Sequence, residues 1–281
     1  DLSGSLAGTT QRLLGPGGVS LNSLSPTSGD GVSTATASGS GGGIIAVGVN
    51  SSTVTTAPVV TASVGGTLTA KGGVAIRTSS ATHTESNVDN SSGGLIAVGV
   101  VNATSTATNK SHASIADGAV IESAGDVSLS SMSETNHGDV RATAHSGGFA
   151  VDVRPTATAT TTFDTTATVG QGARVTADGL LEILADTAVS GTTDADADGR
   201  GFGGGAYANS TNQVDDASST TTSRTTATVS ESATLIGGRL VAHATVSELS
   251  LKAQADSVAG GFVAIAQSFA TVTVPAAAAV E

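Results

Sequence analysis

The chain has no cysteine and no tryptophan, and only one methionine, one tyrosine and five phenylalanines among its 281 residues. Without cysteine there is no disulfide framework and no thiol chemistry, and the compartment is left open. With so few aromatics, the bulky side chains that normally fill the core of an enzyme of this size are missing. Basic residues are scarce too, since 11 Lys and Arg against 23 Asp and Glu leave a formal net charge of −12. Nucleic-acid binding needs clustered positive charge, so that balance argues against it. No apolar run approaches the roughly 18 residues that span a bilayer. The first residues do not read as a basic, then apolar, export signal, so an exported chain would carry its signal outside them.

What is present is small: Gly, Ala, Ser, Thr and Val make up most of the sequence. A core built from Ala, Val, Ile and Leu suits thin layers with closely spaced backbones. Gly, Ser and Thr in such abundance also suit disorder. A low charged content of 12% points the other way, and internal repetition decides for order. A Gly-Gly step followed by an apolar run occurs at Gly42-Gly43-Ile44-Ile45-Ala46-Val47, Gly93-Gly94-Leu95-Ile96-Ala97-Val98 and Gly147-Gly148-Phe149-Ala150-Val151. It returns at Gly204-Gly205-Ala206-Tyr207-Ala208 and Gly260-Gly261-Phe262-Val263-Ala264. The second glycines, at 43, 94, 148, 205 and 261, mark imperfect repeats of about 54 residues. A second marker keeps the same rhythm at Ala62-Ser63-Val64, Ala113-Ser114-Ile115, Ala167-Thr168-Val169 and Ala227-Thr228-Val229. A third follows at Val74-Ala75-Ile76, Val127-Ser128-Leu129, Leu181-Glu182-Ile183 and Leu240-Val241-Ala242, with Val19-Ser20-Leu21 as the tail of an earlier copy.

Between the markers the chain alternates with period two, as in Val140-Arg141-Ala142-Thr143-Ala144 and Ala157-Thr158-Ala159-Thr160. That is the pattern of a half-buried strand, and Thr and Val favour strand over helix. The expected fold is all-β: one continuous β-solenoid, or β-helix, over residues 1–281, with its last copy incomplete. Repeats of this length suggest two or three coils each, with small inward Ala and Val stacking between coils. Outward Thr, Ser, Asn and Asp would form polar ladders, and glycines would turn the corners.

The pattern resembles the β-helical repeat regions of large exported bacterial adhesins, in the broad filamentous-haemagglutinin-like and autotransporter-like group. The residues that carry the resemblance are Gly94-Leu95-Ile96-Ala97-Val98-Gly99-Val100 and Ala167-Thr168-Val169-Gly170-Gln171-Gly172-Ala173-Arg174-Val175-Thr176-Ala177. The resemblance implies a right-handed solenoid and a structural or adhesive role at the cell surface or outside the cell. It transfers no catalytic residue. Pro275 to Glu281 correspond to Pro58 to about Val64. On that reading the chain ends inside a repeat, and is either part of a longer protein or a unit stacking head to tail.

Few residues suggest chemistry. Asp194, Asp196 and Asp198 before Gly199 resemble the first half of a calcium loop, but position twelve is Gly205 where a bidentate Glu belongs. A solvated strand face, repeating the polar-out, Ala-in alternation of Arg141 to Ala144, is the stronger reading. Gly199-Arg200-Gly201-Phe202-Gly203-Gly204 has G-x-G-x-x-G spacing without the flanking strand and helix of a dinucleotide site, and reads as a corner. His83, His112, His137, His145 and His243 lack zinc-ligand spacing and read as exposed polar positions. Asp152 with Arg154, and Asp215 with Asp216, are acid-containing pairs with no evident groove. Thr156, Thr158, Thr160 and Thr162 form an outward ladder that could order water. Sequons stand at Asn50, Asn90, Asn102, Asn109 and Asn209.

The expectation is therefore a shaft or filament-forming segment of a secreted or cell-surface bacterial protein, not an enzyme. No catalytic, cofactor-binding or metal residue is assigned, with calcium the one cofactor considered. Expected partners are further copies, end to end or side by side, and extracellular polysaccharide, without nucleic acid or a membrane span. A carbohydrate- or ice-binding module on a Thr-rich face is the alternative, ahead of a polysaccharide-acting enzyme.

Overall fold

Alternating small and β-branched residues favour extended backbone, and extended strands without hairpin turns can only pair by stacking. In the computed structural model, described for residues 2–6, 11–13, 19–24, 32–215, 223–274 and 277–280, every regular element is a strand. In chain order these are β1 (Leu2–Leu6), β2 (Gln11–Leu13), β3 (Val19–Leu24), β4 (Val32–Thr56), β5 (Val59–Val64), β6 (Thr67–Ala70) and β7 (Val74–Ile115). They continue as β8 (Val120–Ser123), β9 (Val127–Val169), β10 (Arg174–Val214), β11 (Arg224–Val229), β12 (Thr234–Gly260), β13 (Val263–Thr273) and β14 (Ala277–Val280). All pair in parallel within one 14-stranded sheet that winds on itself as a β-solenoid.

The register corrects the expected coil count. Val19, Val74, Val127, Leu181 and Leu240 stand side by side, so each residue pairs with its counterpart one repeat later. One repeat is one coil. The length is absorbed by folding each coil into an outward and a returning arm. Ser111 Oγ donates to Thr78 Oγ1 across the interior at 2.9 Å, and Ser105 Oγ to Thr84 Oγ1 at 2.6 Å, with Gly94 midway between them in sequence. Half of the 42-residue β7 makes an arm of about 70 Å at roughly 3.3 Å per residue. Stacked coils rise only about 4.8 Å each, so these repeats make a broad slab and not a slender rod.

Three sides meet at the base of the slab, where the short strands β6 and β8 turn the chain between one coil and the next. There Leu68, Ile76, Ile115, Ile121, Leu129, Val175 and Ile183 form the main apolar core. A second core lies toward the far bend, made almost wholly of Val and Ala, including Val88, Ala97, Val140, Ala142, Ala157 and Ala195. Phe163, Val189 and Val214 make a third. The register places Gly43, Gly94, Gly148 and Gly201 together at the far bend, and Gly261 lies against Gly201. The fourth repeat mark is therefore Gly201, not Gly205, which pairs with Asp152. A Cβ on Gly94, Gly148, Gly201 or Gly261 would lie closer than 3.0 Å to the carbonyl oxygen of the glycine one coil earlier. That close backbone approach is what requires glycine here.

Candidate functional site

The strand alternation sets the outer surface. On β10, Ala195 and Ala197 are buried while Asp194, Asp196 and Asp198 emerge on the outward face. Alternate side chains on a strand are about 6.6 Å apart, too far for all three to reach one ion whose oxygen ligands sit at about 2.3–2.6 Å. Among the described residues no group of three or more His, Cys, Asp or Glu is arranged to hold a metal. Two of the three carboxylates take protein partners on their own face. Arg141 Nε lies 3.7 Å from Asp194, and Arg200 Nε donates to Asp198 at 2.8 Å. Partial burial raises the pKa of Asp194, Arg141 opposes that, and Asp196 and Asp256 add to it.

The G-x-G-x-x-G segment is the far bend of the fourth coil, running from β10's outward arm into its return. Asp152 pairs with Arg154 at 2.9 Å, and that guanidinium lies 5.4 Å from the Tyr207 ring centroid. Asp215 accepts from Ser223 N at 3.0 Å and from Ser223 Oγ; Asp216 lies outside the described residues. Asp164 is the strongest ion-pair centre. Burial raises its pKa, but hydrogen bonds from His112 and Arg224 outweigh that and hold the carboxyl far below its ordinary range. Of the sequons, Asn90 and Asn109 are buried and closed to glycosylation, while Asn102 and Asn209 are exposed.

The histidines divide. His83 lies 3.4 Å from Glu85 and His145 lies 3.9 Å from Asp198, both on the surface. His137 is buried, contrary to the expectation of exposed positions. Its Nδ1 is 2.8 Å from Thr84 Oγ1 and 2.9 Å from Ser105 Oγ, and its Nε2 is 2.7 Å from Thr161 Oγ1. Burial lowers its pKa to about 4, with a hydrogen bond at the Thr160 backbone opposing and the charge of His83 adding. His137 belongs to a hydroxyl-lined zone between the apolar cores, a second departure from the expected Ala and Val interior. There Thr187 Oγ1 meets Thr165 and Thr225 at 2.8 Å each, and Ser131 Oγ donates to the Ser111 carbonyl at 2.6 Å. Such partners let buried polar groups persist, although Ser80 Oγ and the side-chain oxygens of Asn109 and Asn212 have none.

Two surface arrays run across the coils. On the return arm Thr53, Thr104, Thr158, Thr211 and Thr271 stand in register, one per coil. Thr55, Thr106, Thr160 and Thr273 flank them two residues on, with Gln213 in the fourth coil. Variation in repeat length does not disturb these rows. It is taken up in the outward arms, by register shifts between Thr84 and Ser86, Thr187 and Ala188, and Gly191 and Thr192, and beyond the rows between β10 and β11, where Val214 pairs with Thr161 but Arg224 with Asp164.

At the far bend, the residue after each bend glycine is large and apolar: Ile44, Leu95, Phe149, Phe202 and Phe262. Together they form an exposed ridge, flanked by Ile45, Ile96 and Val263. Leu95, Phe149 and Phe202 are 55%, 55% and 53% exposed although coils cover them on both sides, so their exposure is not an end effect. The Phe149 and Phe202 rings stack at 4.9 Å and 4°, and Phe202 and Phe262 at 5.3 Å and 8°. In the sequence these runs serve as a repeat marker, with no face assigned to them. The signal that distinguishes them is a bulky residue following the bend glycine in all five copies. No family model, curated protein or solved structure matches the chain.

Proposed function

We propose that the chain is a structural and adhesive β-solenoid segment of a secreted or cell-surface bacterial protein. The observation that carries this reading is the in-register ladder of whole coils, each about 54 residues long, which turns small side chains into one wide, continuous slab. So many residues for each 4.8 Å of rise make a poor spacer and a good broad surface. The reading therefore rests on the faces more than on reach. Parallel ladders with a packed interior leave few cleavable segments. Limited proteolysis with a non-specific protease tests the structural part. Cuts are expected at exposed turns such as Asp117-Gly118 and Gln171-Gly172, and early cleavage within the arms of β7 or β9 would sink it.

A second reading is favoured by the Thr rows. They place hydroxyl and methyl groups at about 4.8 Å between coils and about 6.6 Å along each strand, a regular array suited to ordered water or a polysaccharide chain. Replacing Thr104, Thr158 and Thr211 by Val and assaying ice recrystallisation and pull-down on insoluble polysaccharides separates the two. A binding face loses activity, and a purely structural face has none to lose.

A further inference from the structure

We propose that the apolar ridge at the far bend is a contact surface for a second copy of this chain, joined ridge to ridge about a two-fold axis. This gives the side-by-side association its surface, and it rests on the structural reading only for its purpose, not for its geometry.

The area fits that occupant. With roughly 150–250 Å² for a whole aromatic side chain, the exposed part of the ridge comes to on the order of 800 Å². That exceeds the few hundred Å² of apolar patch a solitary soluble protein normally shows. It matches the share that one partner contributes to a standard interface, about 800 Å². A straight ridge is also self-complementary. Its residues recur at the coil spacing, so a second ridge with the same spacing can interdigitate along its whole length and close the pair.

Ring geometry disfavours a sugar. Phe149, Phe202 and Phe262 stack face to face, so Phe202 carries a ring on each face and Phe262, at the end of the stack, alone leaves a face widely exposed. A pyranose ring stacks on an aromatic face, whereas ring edges pack well against other apolar side chains. Charge permits the self-contact despite the net −12. Beside the ridge on the return arm Asp152 is paired with Arg154, and on the outward arm Asp198 is paired with Arg200. Each carboxylate within four residues of a bend glycine is thus paired with an arginine.

Sedimentation velocity on the intact chain tests the contact, together with a Phe149→Asp, Phe202→Asp double variant. The wild type is expected to dimerise with rising concentration, and the double variant to raise the dissociation constant at least about tenfold with an unchanged circular-dichroism spectrum. Because the chain has no cysteine, Phe149→Cys gives an independent readout should the double variant fail to fold. Mild oxidation should yield a disulfide-linked dimer from Phe149→Cys and none from Gln171→Cys, at an exposed turn at the base. A wild type that stays monomeric to about 100 µM, or a dimer indifferent to the Asp substitutions, overturns the proposal. So does a monomer that floats with phosphatidylcholine vesicles, which would assign the ridge to lipid. Monomers that keep their β spectrum and protease resistance would refute the contact and leave the structural reading standing. Ridge-dependent dimers of a readily digested chain would do the reverse.

Discussion

Acidification should weaken this fold through one side chain. His137 is held neutral among Thr84, Ser105 and Thr161, with its pKa lowered by burial to about 4 from an ordinary value of 6.5. Between those two values the unfolded chain binds a proton that the folded chain refuses. Stability is therefore complete above pH 6.5 and is lost as the pH falls toward 4. At about 1.4 kcal/mol per unit, the loss from pH 7.5 to pH 4.5 is roughly 2–3 kcal/mol. The nearest titratable group acting on it is His83, whose own positive charge deepens the effect. Asp164 works in another window, because a lowered carboxyl pKa gives stability that is lost only as pH falls below the ordinary carboxylate value. The assay is the urea midpoint at pH 7.5, 6.0, 5.0 and 4.5 for the wild type and for His137→Gln. The wild type should lose roughly 2–3 kcal/mol more than the variant across that range. Equal slopes for both proteins, or an imidazole resonance of His137 titrating near 6.5, would refute the reasoning.

Three other outcomes follow from the geometry. Gly148→Ala sets a methyl against the Gly94 carbonyl oxygen and should cost about 1–3 kcal/mol in chemical denaturation, whereas Gly172→Ala, which meets no atom within 4 Å, should cost only its positive-φ strain. Ser232 sits at φ 64 where the corresponding turns carry Gly66, Gly118 and Gly172, so Ser232→Gly should raise the unfolding free energy by about 0.5–1 kcal/mol. Thr187→Val removes the hydroxyl shared by Thr165, Thr225 and Ser133 and should destabilise by about 1–3 kcal/mol, measurable as a lower melting temperature with an unchanged β spectrum.

The solenoid was legible because its signals are local and repeated. Gly-Gly steps, period-two alternation and the Ala-Thr-Val marker each report extended backbone and a fixed return. Coil count was not legible, because a repeat length does not say how often the chain winds within it. That answer comes from the pairing of Val74 with Val127 and of Val127 with Leu181. The hydroxyl interior was hidden for a related reason. Ser and Thr occupy both strand parities, so Thr78 and Thr84, which point inward, look in sequence like Thr158 and Thr160, which do not. The exposure of Leu95 and Phe149 was not legible either, since nothing in an apolar run says that a bend falls within it. Gly205 was mistaken for Gly201 because the adjacent Gly204-Gly205 pair imitates the marker more closely than Gly199-Arg200-Gly201 does. The acidic triplet was weighed correctly as a strand face, because Ala at every second position already fixed its alternation.

Everything above depends on one repeat making one coil. Spin labels at Thr53→Cys and Thr271→Cys, in a chain without native cysteine, measure this directly, since those positions stand four coil steps apart. Pulsed dipolar spectroscopy should give a distance centred near about 19 Å between the backbones, after allowance for the labels. A distribution near about 38 Å, as two coils per repeat would produce, or one too broad to peak, would contradict the structure and the surfaces derived from it.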